Sequence, residues 1–78
     1  MERFVCLNEA RANVVLHEAK KIIEEYGVVT REDIAELCAA PTRAGDDDFG
    51  WDNLDSAVIH TLDIAVEAVI VLPNAFRI

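Results

Sequence analysis

The chain has 78 residues, 53% hydrophobic and 28% charged, with a formal net charge of −8 at pH 7. That profile describes one small folded domain and excludes a disordered chain. The acidity also opposes approach to phosphate backbones. Residues 1–43 carry 6 basic and 8 acidic side chains and residues 44–78 carry 1 and 7, so most of the negative field comes from the second half.

Arg3 to Leu7 (RFVCL) is β-branched and aromatic and reads as a strand or an extended arm. Asn8 is a suitable N-cap for a helix over Glu9–Tyr26, where Ala12, Val15, Leu16, Ala19, Ile22, Ile23 and Tyr26 recur on one face. Gly27 supplies the left-handed residue that commonly ends a helix. Val28 and Val29 form a short extended link. Thr30 and Asp33 stand in a capping-box relation at the start of a second helix, with Ile34, Leu37 and Cys38 facing inward and Pro41 beyond its end.

Pro41 to Gly50 (PTRAGDDDFG) is the one clear loop, marked by Pro, two Gly and three consecutive Asp. A third helix is expected over Trp51–Ala68. Leu54, Val58, Leu62, Ala65 and Val69 recur at helical steps, and Asp52, Asp55, Asp63 and Glu67 take the opposite face, with Ser56 and His60 between. No Lys or Arg occurs from Trp51 to Phe76. Val69–Leu72 and Ala75–Ile78, separated by Pro73-Asn74, read as a C-terminal hairpin that the Arg3–Leu7 strand could join. The expected fold class is therefore α+β, mostly α: one domain, residues 1–78, of three helices with a small C-terminal hairpin.

Cys6 and Cys38 both fall at apolar positions and read as two reduced core thiols of a cytoplasmic protein rather than a disulfide. There is no zinc spacing, no basic-then-apolar leader and no apolar run long enough to cross a bilayer.

The stretch Ile22–Leu37, IIEEYGVVTREDIAEL, resembles the first two helices of winged helix-turn-helix domains. The resemblance implies a winged-helix arrangement in which the third helix would read the major groove. On this chain those positions fall on Asp52, Asp55, Ser56, Asp63 and Glu67, which repel phosphates, so no direct nucleic-acid binding is expected.

Chemistry is equally sparse. Asp46, Asp47 and Asp48 lack the alternating order of a calcium loop and read as a solvated loop or helix cap, so no metal is expected. His17 and His60 accompany no recognisable nucleophile, and Ser56 and His60 one helical turn apart is too common a spacing to count. The three glycines are dispersed, so there is no phosphate loop. These features point away from an enzyme and from any cofactor.

Phe49 and Trp51 flank Gly50 beside the acidic run. One reading places Trp51 in the core; the other exposes a ring as a binding anchor within an anionic rim. The overall reading is a small acidic, non-enzymatic inhibitor that presents Asp46, Asp47, Asp48, Phe49, Trp51, Asp52, Asp55, Asp63 and Glu67 to a basic, nucleic-acid-handling protein. In size, acidity and lack of catalytic motifs the chain is similar to phage counter-defence proteins of the anti-CRISPR type. The alternative is a winged-helix-like transcriptional or assembly adaptor that works through protein contacts, as a homodimer, since Ile59, Ile64, Val66 and Ile70 exceed what one core face needs.

Overall fold

A computed structural model describes residues 1–61 and 66–78. In chain order the elements are β1 (Glu2–Cys6), α1 (Glu9–Tyr26), β2 (Val29–Thr30), α2 (Arg31–Leu37), a 3-10 turn at Asp46–Asp48, β3 (Phe49–Trp51), β4 (Val58–Thr61), β5 (Ala68–Leu72) and β6 (Phe76–Arg77). The strands form two antiparallel three-stranded sheets, ordered β1-β5-β4 and β2-β3-β6.

The first half follows its local signals. Asn8 accepts from the Arg11 amide, and Gly27 ends α1 in the left-handed region at φ 88°. Ala12, Val15 and Ala19 are buried, and Leu16, Ile22 and Ile23 pack partly against them, whereas Tyr26 is exposed. Thr30 and Asp33 complete a reciprocal capping box on α2. The other end of α2 closes by a Schellman pattern, in which the Ala39 amide donates to Glu36 and the Ala40 amide to Ala35. Ala39 takes the left-handed position at φ 57°, although it is not glycine.

The second half corrects the expected fold class. Among the described residues there are two α-helices and six strands, not three helices with a hairpin. Among the described residues of Trp51–Ala68 there is no helix: Trp51 ends β3, Val58–Thr61 is β4, and Ala68 opens β5. Leu62, Asp63, Ile64 and Ala65 lie outside the described residues.

The cause is a competition between periods. Eight of the fourteen residues from 58 to 71 are Val, Ile or Thr, whose stiff χ1 favours a pleated surface. Residues four apart share a face in a strand as well as in a helix, so the apolar spacing fitted both. A ladder decided it, with Ile59 opposite Ile70 and His60 opposite Val69. Leu54 is buried at a turn, where the Asp55 amide donates to Asn53 Oδ1 and the Ala57 amide to the Leu54 carbonyl.

The C-terminal segments are strands but not a hairpin. β5 lies between β1 and β4, whereas β6 pairs with β3 in the other sheet. The connection at Pro73 is held by the Trp51 indole, whose Nε1–H donates to the Pro73 carbonyl at 2.8 Å. The expected association of the Arg3–Leu7 segment with this region does occur, with Arg3 opposite Val71 and Val5 opposite Val69.

The core lies between sheet β1-β5-β4 and α1. Ala68, Ile70 and Leu72 from β5 are fully buried, together with Val15, Ala19, Val29 and Ile34. Burying a side chain such as Ile70 or Leu72 contributes about 2 kcal/mol. Trp51, 2% exposed, meets Phe4 edge-on at 6.4 Å and so joins the two sheets.

Gly50 sits in the middle of β3, opposite Thr30 on one side and Phe76 on the other. A Cβ there would lie 2.2 Å from the Val29 carbonyl oxygen. That atom is backbone of the neighbouring strand and cannot move aside cheaply. Gly50→Ala is expected to destabilise the protein by about 3 kcal/mol, through loss of β2–β3 pairing. Urea denaturation of the two proteins checks this, and equal midpoints would contradict it.

Candidate functional site

The structure divides the acidic residues into separate groups. Asp46, Asp47 and Asp48 form the 3-10 turn and pack beside α2. Asp46 is half-buried and accepts from the Arg43 amide at 2.8 Å, while Asp47 and Asp48 are exposed. Asp52 and Asp55 instead line a shallow depression with Lys20, Ile23 and Glu24 of α1. Glu67 is exposed just before β5, and Asp63 lies outside the described residues. Without a Trp51–Ala68 helix, no single stripe carries all of them.

The two aromatics also leave the expected surface. Trp51 belongs to the core, as the first of its two readings had it, although in a strand. Phe49 is half-buried beneath Arg31, whose guanidinium carbon stands 4.8 Å from the ring centroid. Neither ring is a free anchor.

A different acidic group emerges where α2 meets the 3-10 turn. Glu32, Asp33 and Glu36 come from α2, and Asp46 and Asp47 from the turn. Loss of water contact, and then the negative charges of Glu36, Asp47, Asp33 and Asp46, push the Glu32 carboxyl above its ordinary pKa. A carboxylate in the first turn of a helix is normally favoured, so the desolvation and crowding outweigh the helix end. Arg31, the basic residue of α2, is directed elsewhere: its Nε and Nη2 donate to the two carboxylate oxygens of Glu2 at 2.5 and 3.0 Å. Glu32 and Glu36 lie within α2, a short helix whose sequence pattern marks only its buried face. The i, i+4 pairing of like charges was the available signal.

Beyond this cluster, His17 is exposed on α1 and His60 on β4, while Ser56 sits in the turn before β4. Among the described residues, no three His, Cys, Asp or Glu side chains converge as metal ligands. No described helix is long and apolar enough to cross a membrane. Cys6 and Cys38 are both free thiols, with their sulfurs 3.4 Å apart. Burial, and then the contact with Cys6, push the Cys38 thiol up to about 12.

Comparisons with protein-family models, with curated proteins and with solved structures gave no match.

Two predictions follow from these environments. The folded state binds a proton at Glu32 more readily than the unfolded chain does. The associated stability is therefore present below the ordinary carboxylate range and is lost as pH rises through the elevated pKa. Glu32→Gln should raise the melting temperature at neutral pH and leave it nearly unchanged at about pH 3, with the gain shrinking in high salt. A lower melting temperature at neutral pH would contradict the assignment. At Cys38, a rise from 9.0 to about 12 leaves roughly a thousandfold less thiolate at neutral pH. Iodoacetamide should therefore label the native protein far more slowly than the urea-unfolded protein, read by mass spectrometry.

Proposed function

We propose that the protein is a non-enzymatic binding protein that presents the acidic surface of α2 and the 3-10 turn to a basic, nucleic-acid-handling protein. The carrying observation is the crowding of Glu32, Glu36, Asp46 and Asp47 while Arg31 is engaged by Glu2. Like charges held together cost stability in the isolated protein, and Arg31, whose charge reaches Asp46, is itself engaged by Glu2. A cationic partner relieves that cost on binding, so the surface gains more from a Lys/Arg groove than scattered carboxylates would. Such a groove ordinarily holds phosphates, and occupying it makes the protein a competitive inhibitor of nucleic-acid binding.

The test is a pull-down from host lysate at low salt, with captured proteins identified by mass spectrometry. Glu32→Gln, Glu36→Gln and Asp47→Asn together should remove the basic nucleic-acid-binding proteins that the unaltered protein captures. The distant Asp52→Asn with Asp55→Asn should not. Affinity for the identified partner should fall about tenfold or more between 50 and 300 mM salt. Capture that persists in the triple variant, or that is lost only in the Asp52/Asp55 variant, would refute the assignment of this surface.

A further inference from the structure

A groove of about 780 Å³ opens on the molecule beside β1, lined on one side by Glu2, Arg3, Phe4 and Val5. Successive residues of a strand point to opposite faces. A groove that touches four in a row therefore runs along the strand's edge rather than over one face. Among the described residues β1 pairs only with β5, which leaves that edge open. The opposite wall is the segment that leaves α2, including Ala39, Ala40 and Ala44. The left-handed turn at Ala39 sends this segment off the end of α2, and its small side chains leave room beside β1.

That volume is large enough to admit a short extended segment beside the strand. β1 itself is five residues long.

The charge runs against that of the rest of the molecule. Arg3, Arg31 and Arg43 line the groove, against Glu2 and Asp46, in a chain of net charge −8. Glu2 and Arg31 neutralise each other, and Asp46, which accepts from the Arg43 backbone amide, keeps its charge in the lining, so the groove carries one net positive charge. Among the described residues, neither Arg3 nor Arg43 has a carboxylate within ion-pair distance.

From the open edge, the groove's volume and the guanidinium groups of Arg3 and Arg43 in its lining, we propose that this groove binds an extended acidic segment of a partner protein, which adds to β1 as a fourth antiparallel or parallel strand of its sheet. Backbone hydrogen bonds to β1 supply the affinity. Carboxylates beside Arg3 and Arg43 select the sequence. Small apolar residues at alternate positions turn inward toward Ala35 and Cys38. This site borders the α2 acidic surface, with Asp46 common to both, and the charge it selects is the opposite one.

The probe is an end-capped, fluorescein-labelled hexapeptide alternating Glu and Val, titrated with the full chain and read by polarisation and by amide chemical shifts. Saturable binding below about 1 mM is expected, with shifts concentrated in residues 2–6 and 38–44. The Lys–Val counterpart should bind at least tenfold more weakly, as should Arg3→Gln with Arg43→Gln, both surface positions. N-methylation of alternate peptide amides leaves the protein untouched and should abolish binding. Three outcomes would each overturn the proposal: no binding, equal binding of the N-methylated peptide, or shifts confined elsewhere. So would a dimer by light scattering whose β1 edge is already occupied by a second copy. Neutralising Glu32, Glu36 and Asp47 should leave peptide binding intact, which keeps this test independent of the proposed function.

Discussion

One carboxylate holds the two halves of the molecule in register. Glu2, at the start of β1, accepts from Arg31 through both oxygens, and its Oε2 also accepts from the Ala75 amide at 2.6 Å. Those contacts reach from one sheet to the first residue of α2 and to the approach to β6. Arg31 in turn lies over Phe49 in β3. The side chains of Arg31 and Glu2 retain about a third and a fifth of their exposure (32% and 18%), so the geometry matters more than the bare charge. A bidentate arginine fixes direction as well as distance.

That engagement also explains the division of charge on the surface. With Arg31 turned to Glu2, nothing on α2 offsets Glu32 and Glu36, and the acidic group at the 3-10 turn stands beside them. On the other side of the same pair, Arg3 and Arg43 have no carboxylate within ion-pair distance among the described residues. The internal ion pair thus lies between an anionic face and a groove richer in arginine, with Asp46 on their border. Total charge alone describes neither surface.

Much of the first half was legible in the sequence because its signals are local. Asn8, Gly27, Thr30 and Asp33 each act within four residues, and the structure uses all of them as caps. The second half depended on partners distant in the chain. β5 reads as a strand by composition, but only pairing with β1 and β4 settles its place, and the same pairing draws Val58–Thr61 out of a helical pattern. The expected acidic stripe failed with the helix that was to carry it. Asp46–Asp48 remained a surface group, while Asp52 and Asp55 went to the α1 side. Trp51 illustrates the limit well. Its burial could be weighed from the sequence, but its hydrogen bond to Pro73 spans 22 positions and has no local sign.

The two sheets are unequal in reach. β1 and β5 are matched over five residue pairs, whereas β2–β3 and β3–β6 are matched over two each. The shorter sheet has little ladder of its own, and contacts outside the ladder fasten it: Trp51 is buried against Phe4, the Ile78 amide donates to the Asp48 carbonyl, and the Ala75 amide donates to Glu2. The larger sheet is therefore knit mainly by its backbone, and the smaller one by the side chains and single amides that tie it to its neighbour.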